Sequence, residues 1–313
     1  MKRSAFIVVV TFLVLLAIPC WGAALGTAAG SVIPSDVQQI ITVDYRQLAA
    51  SPTALALKAK VLPDNLKNLE SALRGVGIDP DKDVDSLIFA SFRTENKGLR
   101  VVGIAQGQFN RAKFIKNMRL KKIKPTKYHT SYLYPMGSAT QVTFLDDSSM
   151  LFGESDSVQA ALDARDGNTP SLASNSNMSE LVRSADTGAV WSVLDATGTQ
   201  NMMRSTLGDA ARLADFETVK KRLLGSVYTM DFTHGVKFDL SVLTSDSMTA
   251  ATMSSLLRAG MMFKKMNATG VEKIALDNVS VDNDNEHLLL HFKADDDKFE
   301  TLLQSPLFTS IAR

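Results

Sequence analysis

What most constrains the fold of this chain is an alternation of strand-like and helix-like segments that runs through it twice. The first pass opens with "IITVDY" at residues 40–45, a β-branched, apolar run that reads as a strand. Ser51 then caps a helix with Pro52 at its first position. Pro63 interrupts that helix, and Asp64 restarts it with Leu66, Leu69 and Leu73 on one face and Gly75 at its end. "SLIFASF" and "LRVVGIAQGQF" are two strands joined through "RTENKG". Asn110 caps a helix over residues 111–119. "TSYLYP", "TQVTFLDD" and "MLFGE" add strands, and a last helix covers 156–165. The order begins β-α-β-β-α-β, the ferredoxin-like alternation.

"DGNTPSLASNSNMS", residues 166–179, reads as a polar, turn-rich linker. The plan then recurs. "AVWSVLD" is a strand, the segment beginning "TQNMMRSTLG" is helical, and "GSVYTMDF" and "GVKFDLSVLTS" pair across "THG". A helix covers 247–266, "KIALDNVSVDN" and "EHLLLHFKA" pair again, and residues 295–304 form the last helix. Asp36 stands seven residues before Val43, and Asp186 seven before Val193, which supports duplication. The expected fold is therefore α+β, with two related ferredoxin-like β-α-β-β-α-β repeats, antiparallel-rich sheets and helices packed on one face. The first repeat spans 34–165 and the second 180–313.

Within the first repeat, "GIDPDKDVDSLIFA" carries Gly77-Ile78-Asp79-Pro80 and then Asp83-Val84-Asp85 before an apolar strand, with Gly107-x-Phe109 opening the next helix. This layout resembles exported bacterial proteins of unknown function built from duplicated α+β repeats. The resemblance implies architecture and secretion, and no activity.

Secretion is also readable from the residues. Lys2 and Arg3 precede an apolar run over 5–18 that only Thr11 interrupts, and small residues such as Gly22, Ala23 and Ala24 follow Pro19. This is the pattern of a secretory signal peptide, here residues 1–24. Fourteen helical residues rise about 21 Å, short of the roughly 30 Å hydrocarbon core, so no stable membrane span remains after cleavage. An uncleaved N-terminal anchor is the alternative. Cys20, the only cysteine, follows Ile18-Pro19 rather than the small residue a lipidation site wants, and cleavage discards it. The expected location is periplasmic or secreted.

The remaining composition, 45 % apolar and 21 % charged, is that of a packed globular protein. No G-x-S-x-G, Ser-x-x-Lys, P-loop or G-x-G-x-x-G occurs, and neither metal nor cofactor is expected. Asp79, Asp81, Asp83 and Asp85 alternate as a calcium loop begins, but Val84 and Ala90 occupy the positions that need Gly and an acid. His287 and His291 lie on a strand-like segment, about 13 Å apart and too far for one zinc ion. Met248, Met253, Met261, Met262 and Met266 crowd one helix, which suits core packing or an apolar pocket.

Charge is near balance overall, 34 basic against 33 acidic residues, yet it is segregated. Residues 96–145 hold ten Lys or Arg and no acid, whereas residues 277–300 hold eight acids. Arg111, Lys113, Lys116, Arg119, Lys121, Lys122, Lys124 and Lys127 form the candidate anion-binding face. The partner expected is an anionic envelope component or the acidic segment of another copy. Nucleic acid is not expected, since stacking aromatics are few. The reading is an exported, non-catalytic binding or interaction protein of the cell envelope. Alternatives are an envelope hydrolase with a carboxylate-based site and a carrier of a small apolar ligand. Mass spectrometry of protein from its native host should find an unlipidated N-terminus between Ala23 and Thr27. A diacylated Cys20 would contradict this, and a retained Met1 would favour the anchor.

Overall fold

Strands form where β-branched and aromatic residues alternate, and in the computed structural model they all join one sheet. The structure describes residues 25–94, 98–137, 139–185, 188–207, 216–268 and 270–305, so the segment read as a signal peptide lies outside it. The strands are β1 (Val37–Asp44), β2 (Val84–Thr94), β3 (Gly98–Gly107), β4 (Thr126–Tyr128), β5 (Ser131–Pro135) and β6 (Thr140–Phe144). They continue with β7 (Ser149–Glu154), β8 (Val190–Asp195), β9 (Leu223–Asp231), β10 (Val236–Thr244), β11 (Val279–Asp284) and β12 (His287–Ala294). Their order is β11-β12-β10-β9-β8-β1-β2-β3-β7-β6-β5-β4, and every pairing is antiparallel. The protein is thus a mixed α+β molecule with one large antiparallel sheet.

The halves meet at β1 and β8, from Gln39 opposite Leu194 to Val43 opposite Val190. Outward from that seam the order reads β1-β2-β3-β7-β6 on one side and β8-β9-β10-β12-β11 on the other. It differs from the ferredoxin-like order, in which crossover helices link parallel strands. Here β1 and β2 are antiparallel neighbours. The helices between them leave and re-enter at the same end of the sheet, as one long hairpin connection.

The helices among the described residues also differ from the expectation of a single covered face. Alternation along β1 sends Ile40 to one side and Ile41 and Val43 to the other. On Ile40's side, α1 (Thr27–Val32), α7 (Ser155–Arg165) and α8 (Ser176–Ser184) bury Val32, Leu162 and Met178 against Ile88, Ile104 and Val193. The opposite side carries α2 (Tyr45–Ala49), α3 (Pro52–Val61), α4 (Asp64–Gly75), α5 (Pro80–Asp83) and α6 (Arg111–Leu120). There Leu69, Phe114 and Met118 pack with Met150 and Phe152. Further along that side follow α9 (Ala196–Leu207), α10 (Phe216–Val219), α11 (Ser247–Asn267), α12 (Gly270–Asp277) and α13 (Asp296–Leu303). Met203 and Met253 pack on Val242 and Leu288, and Phe299 on Phe232 and Val236. A sheet with two apolar faces needs cover on both, and the helices divide accordingly.

Local chemistry sets the helix ends. Side chains of Ser51, Asn110, Asp246 and Asp295 accept from the N–H three residues on, satisfying donors that each first turn leaves unpaired. Two expectations need correction. The segment read as a linker holds a 3₁₀ turn, Leu172–Ser174, and the start of α8, with Leu172 and Met178 buried. Asn175, a turn residue by type, serves as that helix's cap and also donates to the Ser35 carbonyl at 2.7 Å. "KIALD", read as strand, is the end of α12.

One glycine shows how tightly the sheet packs under the helices. A Cβ at Gly103 would overlap the ring of Phe152 on the adjacent strand, which lies edge-on to Phe89 with centroids 5.8 Å apart. Gly103→Ala should therefore destabilise the protein by about 1–3 kcal/mol in urea unfolding, whereas the open-lying Gly137→Ala, strained only by its positive φ, perturbs no such packing. An unchanged midpoint for Gly103→Ala would refute this packing.

Candidate functional site: an apolar cavity beside a cationic helix

The sequence of α3, "PTALALKAKV", distributes Leu and Ala around the helix instead of concentrating them in one stripe, and only Ala54 is fully buried. In α4 the pattern is sharper: Leu69 and Leu73 are buried while Lys67, Asn68 and Ser71 face water. The two helices, joined at Leu62-Pro63, stand off the sheet as a hairpin. Between hairpin and sheet lies a cavity of about 390 Å³, within the range of small-molecule sites, about 300–1,000 Å³. Its floor is the sheet at the seam: Ile41, Val43, Leu87 and Phe89 from the first half, Val190 and Met230 from the second. Its roof includes Leu57, Val61, Leu66, Leu69 and Leu73.

Its charged lining residues form one polar corner. Lys58 Nζ lies 2.8 Å from Glu70 Oε1, linking α3 to α4 across the roof, and 4.6 Å from the centre of the Tyr45 ring. Lys58 also donates to the Tyr45 hydroxyl, which donates to Asp81 Oδ1 at 2.8 Å. Burial foremost, then the hydrogen bond to Asp81, push the Tyr45 phenol far above its ordinary value and keep it protonated. Arg74 Nη2, 2.6 Å from Asp81, holds that carboxyl below the usual 3.8. Because the folded value is lowered, the contact stabilises above the ordinary carboxylate range and is lost as pH falls through the lowered value. Thr53 reaches Asp296 on α13, a further tie at the start of α3.

Of the eight basic residues of the candidate anion-binding face, those on α6 lie near the end of α4, whereas Lys127 lies on the far edge strand of the sheet. Lys113, Lys116 and Arg119 sit on α6, Lys121, Lys122 and Lys124 in the segment after it, and Lys127 on β4. Arg111 is drawn away, 3.4 Å from Asp147 and stacked on Phe144. The other seven are exposed and form no ion pair with the described residues. Helix α6 contacts α4 through the Asn117 side chain, which donates to the Val76 carbonyl at 2.9 Å. A shallow depression on its outer face is lined by Ala112, Ile115, Lys116, Arg119 and Leu120.

The four alternating aspartates do not converge. Asp79 and Asp81 pair with Arg74, Asp85 with Arg46, and Asp83 accepts from the Asp79 N–H at 2.8 Å. No group of three His, Cys, Asp or Glu among the described residues is placed to hold a metal ion. His287 and His291 lie on β12, bonded to Ser241 at 2.9 Å and Asp239 at 2.6 Å. The methionine-rich α11 buries Met253 but exposes Met248, Met262 and Met266, and it lines no part of the cavity. An apolar pocket therefore exists, but at the seam between the halves and lined mostly by leucine, valine and aromatic residues. Sequence reasoning missed it. The only trace is the dispersed apolar pattern of α3.

No protein-family model and no curated protein matches the chain. Among solved structures it is similar to crystal forms I and IV of TP0453, at 12 % and 10 % identity. The alignments cover 91 % and 88 % of this chain and 100 % and 96 % of those chains, with TM-scores of 0.46 and 0.44. At these scores the likeness assigns this chain neither family nor function. No helix among the described residues is long and apolar enough to cross a membrane.

The polar corner makes its own prediction. Lys58→Met strands Glu70, a carboxylate only 26 % exposed, without its cation and should cost about 1–2 kcal/mol. Lys58→Met with Glu70→Leu should recover most of that loss, a coupling readable in a double-mutant cycle by thermal unfolding. Strictly additive losses would show the pair to be uncoupled.

Proposed function

We propose that this protein is an exported, non-catalytic binding protein of the cell envelope that holds a small, largely apolar ligand between the α3–α4 hairpin and the sheet. The observation that carries the proposal is the cavity: about 390 Å³, almost wholly apolar in lining, with one polar corner at Lys58, Glu70 and Tyr45. Sites of this kind take the bulk of their affinity from burying ligand surface and their orientation from a few polar groups. The lining also argues against the hydrolase alternative. Its one carboxylate is Glu70, already paired with Lys58. Export rests on the N-terminal residues. The division into two related repeats draws support from the strand order, which is the same outward from the seam on both sides.

Titration with a fluorescent polyene fatty acid tests the cavity. The parent should bind one equivalent. Leu66→Trp or Leu57→Trp, which place an indole in the cavity, should weaken binding by about tenfold or more, equivalent to about 1.4 kcal/mol. Lys60→Trp, on the exposed side of α3, serves as the control and should bind as the parent does. Equal binding by all three variants would overturn the proposal.

A further inference from the structure

None of the seven unpaired cations on α6, the segment after it and β4 lines the cavity. We infer that the outer face of α6 and the segment after it form a surface that docks on an anionic lipid bilayer. Three features of this surface lead there. The first is charge. Lys113, Lys116, Arg119, Lys121, Lys122, Lys124 and Lys127 are exposed and free of ion pairs with the described residues, within a stretch of sequence that holds no acid from 96 to 145. A cationic surface without internal partners is complementary to a dense anionic one.

The second is the apolar component. Lys116 and Arg119 share one helix face with Ala112, Ile115 and Leu120, at the three- and four-residue spacing that aligns side chains along α6. Leu120, at the end of this group, is 71 % exposed. A leucine among lysines suits an interface where headgroups meet charge and acyl chains receive the apolar side chain. A soluble polyanion has no use for it. The inner face of the same helix buries Phe114 and Met118, so the outer face is presented on a fixed support.

The third distinguishes lipid from a second copy. The acidic segment that another copy would offer is partly spent: Asp282 pairs with Arg258, Asp277 with Lys265, and Asp295 with Lys298. The exposed apolar end of α11, with Met262, Phe263 and Met266, is the competing surface for lipid. Its Arg258 and Lys265 are already neutralised by those carboxylates, which leaves it fewer free cations than α6. The inference does not depend on the cavity reading, and its test is read separately.

The experiment is co-sedimentation of the purified protein with vesicles of phosphatidylcholine alone and with about one third phosphatidylglycerol. Binding is expected only to the anionic vesicles and should fall as salt rises from 0.1 M to 1 M, where the Debye length shrinks from about 10 Å to about 3 Å. Lys116→Ser, Arg119→Ser, Lys121→Ser and Lys122→Ser together should reduce it at least about tenfold. Leu120→Ser alone should reduce it about two- to fivefold, with thermal stability unchanged in both variants. Lys264→Ser with Lys265→Ser, on α11, should bind as the parent does. Four results would overturn the inference: no binding to anionic vesicles, loss through the α11 variant only, full binding by the quadruple variant, or retention on a sulfated polysaccharide without vesicle binding. A self-association that the quadruple variant abolishes, without vesicle binding, would assign the face to a second copy instead. Fatty-acid titration of the quadruple variant should match the parent, so failure of docking and failure of the cavity reading are distinguishable.

Discussion

The pairing of β1 with β8 is the interaction on which the rest of the structure depends. Five residue pairs, from Gln39–Leu194 to Val43–Val190, turn what would be two sheets into one. They also hide the two strand edges that each half would otherwise expose, unpaired donors and acceptors that invite association. Of the two edges that remain, β11 carries Asp282 and Asp284, and β4 is short and carries Lys127, common protections for such strands. The seam runs beneath the cavity, so its floor is a joint product of both halves. Neither half alone would complete it.

Why the roof stands off the floor follows from composition and from its ties. On the side of α3 that faces the sheet, Ala54 adds little bulk beside Leu57 and Val61, and Pro63 stops the helix before another turn could pack. The roof is held at its ends by Thr53–Asp296 and Lys58–Glu70, and beside it by Tyr45–Asp81. An apolar void of this size forfeits packing. An apolar ligand seated there would restore the packing contacts that the hollow lacks. The opposite face packs differently. There Ile33, Leu162 and Met178 reach the sheet directly and are buried to 1 % exposure or less.

Much of the local structure was legible in the sequence. Caps at Ser51 and Asn110 and the strand character of "EHLLLHF" follow from short-range chemistry, and each is found. Strand neighbours were not legible, because β-α-β-β order is equally compatible with a crossover and with a return to the same sheet end. The run "KIALDNVSVDN" reads as one strand but is the end of a helix followed by a strand, since a short apolar run carries no period that separates the end of α12 from β11. The linker reading failed because Leu172 and Met178 find their apolar partners only in the assembled core. Of the site, the cation run was visible as composition, but its lack of partners is a tertiary fact. The cavity was invisible for a deeper reason. Leu57 and Leu66 look like ordinary core residues, and whether core or empty space lies below them depends on how far the hairpin stands from the sheet.

The central claim is that this space is meant to be filled. Its most direct test is mass spectrometry of the organic extract from protein purified, without detergent, from its native host. The account predicts about one equivalent of a small molecule with an apolar tail per chain, absent from the extract of Leu66→Trp prepared in the same way. An extract with no such molecule, together with a crystal structure in which α3 and α4 rest directly on Val43 and Phe89, would contradict it.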